Sequence, residues 1–173
     1  MRKTLLIAIY FVSVLVFFCV RTGSGQTQYP KSSIRSIDSE LITSKSLRGK
    51  IVMLHFWFIA CAPCLNEIPD LSRLHAKYAN NPKAKFIAIS LNDSPSQIKQ
   101  VLKYKKFPFL HIAKISNASS PVFNSSNDWP AFYKVDRYPT SIIFNKLGQV
   151  AVREEAIPEG SFYYYDRIIQ SLL

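Results

Sequence analysis

A C-x-x-C pair between an apolar run and an amphipathic run is the feature that most limits the folds open to this chain. The apolar run, Ile51 to Phe58, predicts a buried strand because its apolar residues are continuous rather than alternating. Residues Pro63 to Asn80 carry apolar side chains at three- and four-residue steps, which predicts a helix, and Pro69 predicts a kink in it. Cys61 and Cys64 therefore lie where a strand passes into a helix.

This position favours thiol chemistry. Unpaired backbone N–H groups and the positive end of the helix dipole stabilise a Cys61 thiolate. Cys64 follows one helical turn later, so the two sulfurs can open and close as a disulfide. So short a loop restrains the unfolded chain little, and the pair is a poor structural staple. The spacing alone leaves zinc and redox chemistry open, whereas Leu65, in the place of a histidine, excludes c-type haem attachment.

The N-terminus predicts export from the cytoplasm. Met1 to Lys3 is positively charged, Leu5 to Val20 is apolar apart from Ser13, and Gly23 to Gly25 supplies small residues. We expect residues 1–25 to be a signal peptide cleaved before Gln26, with an uncleaved membrane anchor as the alternative. With either a signal peptide or an anchor, we expect the domain to lie outside the cytoplasm, in the periplasm or cell envelope. It would be secreted in the first case and tethered near the membrane in the second. The third cysteine, Cys19, lies in this segment, so only the C-x-x-C pair remains in the folded part.

The chain is basic, with 22 Lys and Arg against 11 Asp and Glu, a net charge of +11. Without Arg2, Lys3 and Arg21, the remaining 19 basic residues still exceed the 11 acidic ones by 8. The lysines fall in separate predicted elements and no recognition motif accompanies them, which predicts a solvated basic surface and no nucleic-acid partner. They include Lys83, Lys85, Lys99, Lys103, Lys105 and Lys106.

The rest of the chain predicts one α/β domain over residues 47–173, preceded by a polar arm at 26–46. Strands alternate with helices in the first part, which implies a central sheet with helices on both faces. A Ser- and Asn-rich insertion, Ser116 to Pro130, precedes a hairpin that turns at Gly148. The other predicted elements are strands Lys85 to Leu91, Phe109 to Ala113, Ser141 to Asn145 and Gln149 to Glu154, a helix capped at Asn92 to Pro95 and running to about Lys106, and a helix from Gly160 to Leu173.

The three histidines predict no metal centre. His55 falls in a buried strand, His75 on a helix face and His111 near a strand, with no H-x-H or H-x-x-x-H spacing. A zinc site would require the cysteine pair to recruit two of them from a distance. We therefore expect no cofactor other than a redox-active Cys61–Cys64 disulfide.

Several motifs agree in order and spacing with one known family. Trp57 and Phe58 precede Cys61, Pro63 precedes Cys64, Glu67-Ile68-Pro69 follows, and Tyr138-Pro139-Thr140 leads into the hairpin. From about Leu47 to its C-terminus, the chain resembles the thioredoxin-fold thiol:disulfide oxidoreductases of the TlpA/ResA-like, AhpC/TSA-related family. The resemblance implies a thioredoxin-like three-layer sandwich, in which a central mixed sheet is flanked by helices and an insertion precedes the cis-proline strand.

The resemblance also implies roles for individual residues. Cys61 would be the exposed attacking cysteine, Cys64 the resolving cysteine, and Glu67 a group that moves protons near the pair. Ala60 departs from the family pattern, since many relatives have tryptophan there. The predicted substrate-binding residues are Pro63, Tyr138, Pro139 as the cis-proline facing the pair, and Thr140.

The activity that the resemblance implies is disulfide reduction in secreted or membrane-associated proteins such as apocytochrome c. A membrane electron donor of the CcdA or DsbD kind would recharge the pair. The dipeptide Ala62-Pro63 supplies no cation to stabilise the thiolate, which predicts a reducing couple at roughly −200 to −280 mV. Two alternatives stay open: a non-catalytic metal- or partner-binding module of the same fold, and a peroxiredoxin-type peroxidase.

Overall fold

A five-stranded sheet forms the centre of the protein, in a computed structural model that describes residues 33–114, 129–156 and 160–173. The elements are β1 (Ile34–Arg35), β2 (Leu41–Ile42), α1 (Ser44–Leu47), β3 (Ile51–Trp57), α2 (Ala62–Tyr78), β4 (Ala84–Leu91), α3 (Pro95–Leu102), β5 (Leu110–Lys114), α4 (Trp129–Phe132), β6 (Thr140–Phe144), β7 (Val150–Glu155) and α5 (Ser161–Leu172).

The sheet is mixed and has the strand order β5-β4-β3-β6-β7. Strands β3, β4 and β5 are parallel, while β6 is antiparallel to β3 and β7 to β6. All residues of β3 are buried, because neighbouring strands lie on both sides of it and side chains cover both faces. The carboxyl end of β3, which leads to the cysteine pair, thus lies in the middle of one sheet edge.

Alternate residues of the strands supply two cores, which confirms the predicted α/β three-layer arrangement. On one face, Met53 and Trp57 belong to a buried cluster with Leu71 of α2 and Tyr165 of α5. The cluster on the other face contains Leu54, Val52 and Phe56 together with residues from β1, β2, α1 and α4, namely Ile34, Ile42, Leu47 and Trp129. Two residues of the N-terminal arm therefore belong to the core, with Ile34 only 0% and Ile42 only 1% exposed.

Most predicted elements lie within one or two residues of the observed ones, but α3 is shorter than expected. It begins after the N-cap Ser94, whose side chain accepts a hydrogen bond from the Gln97 N–H, and it ends at Leu102 rather than near Lys106. The apolar face stops at Leu102, and Pro108 disfavours helical backbone at the residue before it. Helix α2, by contrast, continues through Pro69, and Gly148, in the predicted hairpin turn, has a positive φ of 75°.

Some predictions fall on residues that the structure does not describe. The proposed signal or anchor, residues 1–25, lies outside the described residues, as does most of the predicted insertion, residues 116–128. The last two residues of the insertion open the short helix α4. Within the ranges that the structure describes, no helix has the length and hydropathy that crossing a membrane requires.

Candidate functional site

Cys61 and Cys64 form a disulfide at the start of α2, with their Cα atoms 5.3 Å apart. Cys61 is the N-cap residue of the helix, and its Sγ accepts a hydrogen bond from the Cys64 N–H at 3.2 Å. Proline in the first turn suits this start, since a first-turn N–H has no partner within the helix. The sequence thus predicted correctly that the pair opens the helix.

The two cysteines differ little in exposure. Cys61 is 5% exposed and Cys64 is fully buried, so Cys61 is the more accessible residue but is less exposed than the sequence predicts. In the disulfide, the Cys61 sulfur lies against the first helical turn. Ala62 and Pro63 between the cysteines are exposed and form the outer surface of the site.

The Tyr138–Pro139 peptide bond is cis, as the resemblance implies. It directly precedes β6, in which Thr140 pairs with Phe56 near the carboxyl end of β3. The ring of Tyr138 also packs edge-on against Phe58, with 5.4 Å between the ring centroids. Antiparallel pairing of β6 with β3 thus brings the cis-proline segment to the sheet edge from which the cysteine pair emerges.

The residues predicted to bind substrate differ in their accessibility. Pro139 is buried, and its carbonyl accepts a hydrogen bond from the Ala156 N–H at 2.9 Å. Thr140 is fully buried, and its hydroxyl donates to the Arg137 carbonyl at 2.7 Å. Tyr138 is half-buried. Of these three side chains, that of Tyr138 is therefore the most accessible to a substrate.

Glu67 is a buried carboxyl group one helical turn after Cys64. It is 7% exposed, and burial raises its pKa to about 7. The nearby Asp70 carboxylate adds to the rise, whereas hydrogen bonds from the Tyr165 and Ser161 hydroxyls oppose it. One carboxyl oxygen, Oε1, has no hydrogen-bond partner among the described residues. A group with a pKa near 7 can both take up and release a proton at neutral pH.

Buried polar side chains continue from Glu67 into the sheet. The pKa of the Tyr165 hydroxyl is raised chiefly by burial and also by the neighbouring Glu67 carboxyl, whereas Ser141 opposes the rise. Ser141 Oγ in turn lies 2.9 Å from Nδ1 of His55 in β3. Burial lowers the pKa of His55 to about 3, with a smaller contribution from His111. His55 is therefore neutral, which agrees with a packing role for this residue.

Asp93 also lies near the cysteine pair, although the sequence predicts it only as part of a helix cap. Its Oδ2 accepts hydrogen bonds from the Ile59 N–H at 2.8 Å and from the Ser90 hydroxyl. It thereby holds the segment between β3 and Cys61 against the end of β4. The only signal in the sequence is an acidic residue at the carboxyl end of a strand next to the one that carries the pair.

Asp70 connects α2, the helix that begins at the disulfide, to the C-terminal helix. Its Oδ2 accepts from the Phe162 N–H at 3.2 Å and from the Ser161 hydroxyl at 3.3 Å. The N-cap of α5, Gly160, has no side chain to make these bonds, so Asp70 caps α5 from a neighbouring helix. This capping keeps Ser161 and Tyr165 in place beside Glu67.

The other histidines also occupy packing positions. The His75 ring contacts Phe86, and His111 Nε2 lies 2.7 Å from the Phe107 carbonyl. Burial lowers the pKa of both histidines. Among the described residues, no group of three or more His, Cys, Asp or Glu side chains is placed to hold a metal ion.

Known proteins resemble this chain both in sequence and in fold. The thioredoxin-like protein YneN of Bacillus subtilis is 27% identical over 123 residues, which are 71% of this chain and 66% of YneN. The thiol-disulfide oxidoreductase ResA of Bacillus cereus is 28% identical over 123 residues, 70% of this chain and 64% of ResA. The matched region is thus just under two thirds of the length of these relatives.

Among solved structures, a thiol:disulfide interchange protein of the thioredoxin family from Chlorobium tepidum superposes with a TM-score of 0.66. It is 23% identical, and the match covers 84% of this chain and 95% of that one, which confirms the thioredoxin-like fold. The sequence model of the AhpC/TSA family matches residues 26–153, well over half of the chain. The chain therefore belongs to the AhpC/TSA family.

Proposed function

We propose that this protein is an extracytoplasmic thiol–disulfide oxidoreductase that reduces disulfides in secreted or membrane-associated proteins, of which apocytochrome c is one candidate. The observation that carries the proposal is the Cys61–Cys64 disulfide at the N-terminus of α2, on the sheet edge that also holds the cis Tyr138–Pro139 bond. Relatives that are named thiol-disulfide oxidoreductases, ResA among them, support the same activity.

In the proposed cycle, the Cys61 thiolate attacks a substrate disulfide, and a mixed disulfide forms as one substrate thiolate leaves. The Cys64 thiolate then attacks the Cys61 sulfur, which restores the Cys61–Cys64 disulfide and releases the second substrate thiolate. Two electrons pass from the dithiol to the substrate, and the two cysteine protons are released to the solvent or to the substrate thiolates. Glu67, one turn from Cys64 and with a pKa near 7, is suited to accept the Cys64 proton.

Reduction requires an electron source outside the cytoplasm. A membrane donor of the CcdA or DsbD kind would supply the two electrons that return the disulfide to the dithiol. The N-terminal segment, as a signal peptide or an anchor, would bring the domain to the same compartment. The exposed Ala62-Pro63 dipeptide carries no cation, which supports a reducing couple at roughly −200 to −280 mV.

Cysteine replacement tests the proposal. We expect Cys61→Ser to abolish insulin disulfide reduction and Cys64→Ser to accumulate a mixed disulfide with its substrate, because Cys64 is the group that resolves it. Mass spectrometry of the trapped complex identifies the substrate. Insulin reduction that survives the loss of Cys61 would contradict the proposal. Peroxide consumption by the reduced protein would favour a peroxidase, and stoichiometric zinc retained by the Cys61/Cys64 dithiol would favour a metal-binding module.

A further inference from the structure

The edge of the sheet opposite the cysteine pair collects basic residues from separate parts of the chain. Arg48 and Lys50 directly precede β3, and Lys83 and Lys85 lie at the start of β4. Because β3 and β4 are parallel, both strands begin at the same edge, and the Ile51 N–H donates to the Lys83 carbonyl at 2.7 Å. These four residues therefore lie side by side, away from the cysteines.

The connection between α3 and β5 adds three more lysines to this edge. Lys103, Lys105 and Lys106 are exposed, and β5, which follows them, begins at the same edge because it is parallel to β4. None of the three forms an ion pair with a described residue. Tyr104 lies among them and is 82% exposed.

The β6–β7 turn completes the edge. Lys146 lies in this turn, and its carbonyl accepts from the Gly49 N–H at 3.1 Å, directly beside Arg48 and Lys50. The next residue, Leu147, is 67% exposed. Eight residues form this surface, which we call the basic edge: Arg48, Lys50, Lys83, Lys85, Lys103, Lys105, Lys106 and Lys146. Across the five strands it spans roughly 20 Å.

The basic edge is continuous and weakly compensated. An open pocket of about 570 Å³ lies within it, lined by Lys50 and Lys85 from one side and by Pro108 and Leu110 from the other. Among described residues, its side chains meet negative charge at Lys85, which pairs with Glu40 at 2.7 Å, while Lys146 donates a hydrogen bond to the Leu173 carbonyl. The sequence had predicted a basic charge spread over the surface, but parallel strands place residues that are far apart in sequence along a single edge.

The cysteine edge lacks such an excess of positive charge. Its described basic residues are Arg73, Lys134, Arg137 and Arg153, and its described acidic residues are Glu67, Asp70, Asp93, Asp136, Glu154 and Glu155. Glu67, with its pKa raised to about 7, is only partly charged at neutral pH. The described domain thus has a strongly basic end and, at the redox site, an end whose charges nearly balance.

From this polarity we infer that the basic edge contacts the anionic headgroups of a membrane and turns the cysteine edge away from it. Lysines attract anionic lipid, and an exposed tyrosine and leucine beside them match the mixed basic and apolar character of interfacial surfaces. Nucleic acid is less favoured, since an extracytoplasmic domain does not meet it.

The N-terminal sequence strengthens the choice of a membrane. Residues 5–20 are apolar, and the twelve residues 21–32 between them and the described domain reach at most about 40 Å when extended. With residues 1–25 retained as a membrane anchor, a domain held so close to the surface requires only a weak contact to orient it. The inference rests on the extracytoplasmic location proposed above, with that segment as an anchor, but not on the redox activity, so the two can fail separately.

Tryptophan fluorescence tests the inference in the full chain. Tyr104→Trp places a fluorescent reporter on the basic edge. Tyr163→Trp places a matched reporter at the cysteine edge, in the first turn of α5, where the tyrosine is 66% exposed. The native Trp57 and Trp129 are both 0% exposed, and the unaltered chain gives their background emission.

The chain is reconstituted into vesicles of brominated phosphatidylcholine, with or without an equimolar amount of phosphatidylglycerol. We expect the bromine to quench the added tryptophan of the Y104W variant only when phosphatidylglycerol is present, because only then does the surface carry negative charge. The added tryptophan of the Y163W variant should be quenched in neither case.

Charge variants separate an electrostatic contact from the effect of the apolar segment. Each lysine near an anionic surface changes the binding equilibrium roughly fivefold, so K103E/K105E/K106E should abolish the quenching in the Y104W background. The control R35E/K134E/R167E makes the same change in net charge at positions outside the basic edge, and it should leave the quenching intact. About 1 M salt, at which the Debye length is ~3 Å, should also release the contact.

Two results would overturn the inference. Emission of the Y104W variant that is equal with and without phosphatidylglycerol would show that the basic edge makes no contact with anionic lipid. Equal loss of quenching in both triple variants would show a general effect of net charge rather than a specific edge. Far-ultraviolet circular dichroism of each variant in solution reports folding independently of the redox activity.

Discussion

The carboxylate of Asp93 accepts a hydrogen bond from the backbone N–H of Ile59 at 2.8 Å, across 34 residues of sequence. Ile59 lies two residues before Cys61, between the end of β3 and the start of α2. The bond therefore fixes the approach to the disulfide from the neighbouring strand β4. The sequence predicts Asp93 only as part of a helix cap, but in the structure its side chain supports the segment that leads to the disulfide.

Replacing Asp93 should loosen that support. Asp93→Ala leaves the Ile59 N–H and the Ser90 hydroxyl without their acceptor, and we expect the free energy of unfolding to fall by about 1–3 kcal/mol. Insulin reduction should also slow. Asp93→Asn keeps a carbonyl oxygen, so its losses of unfolding free energy and of reduction rate should both be smaller. Urea unfolding with the disulfide intact measures the first effect. Asp38→Ala, an exposed partner of Lys99, is the control and should cost less than about 1 kcal/mol; an equal loss in the two variants would contradict the assignment.

The burial of Glu67 should make stability depend on pH. Folding raises its pKa from 4.5 to about 7, so between these values the folded state holds a proton that the unfolded chain has released. The associated stability is fully present below about pH 4.5 and is lost as the pH rises through about 7. The loss is on the order of 3 kcal/mol.

Glu67→Gln tests this dependence because the amide does not ionise. We expect urea unfolding of the oxidised variant to show a flatter change of stability between about pH 5 and 8 than the unaltered protein shows. Glu40→Gln, at an exposed carboxyl, serves as the comparison. A slope that Glu67→Gln leaves unchanged would mean that Glu67 titrates normally in the folded protein.

Tyr165→Phe should raise the pKa of Glu67 further. The tyrosine hydroxyl donates to the carboxylate and so favours its charged form; removing that donor disfavours ionisation. Ser141 keeps its contact with His55 Nδ1 at 2.9 Å, so the loss of the hydroxyl should cost at most about 1 kcal/mol in stability. Carbon-13 NMR titration of the Glu67 carboxyl measures the pKa, and Tyr163→Phe at an exposed position should leave it in place.

Asp70→Asn should have the opposite effect on the same group. The Asp70 carboxylate raises the pKa of Glu67 by charge repulsion, so its neutralisation should lower that pKa. The asparagine oxygen still accepts from the Phe162 N–H, and the loss of negative charge at the start of α5 should cost only about 0.3–1 kcal/mol. The NMR titration used for Tyr165→Phe gives the direction in which the pKa of Glu67 changes, and a higher pKa would disprove the electrostatic explanation.

The sequence by itself determined the local structure around the redox pair. Continuous apolar residues predicted β3, Cys61 was placed correctly at the start of α2, and Gly148 was placed correctly in its turn. Each of these depends on neighbours within a few residues, which local periodicity and turn chemistry record. The thioredoxin-like fold and the cis bond at Pro139 followed from motif order, through resemblance to a family.

Only the tertiary structure decided what surrounds that pair. Glu67 becomes a buried acid because Tyr165 of the C-terminal helix lies against it, and Asp93 reaches Ile59 because β4 pairs with β3. The same parallel pairing aligns Lys50 with Lys83 on the edge opposite the cysteines. Burial and long-range hydrogen bonds depend on which strands become neighbours, and a chain read one residue after another does not contain that adjacency.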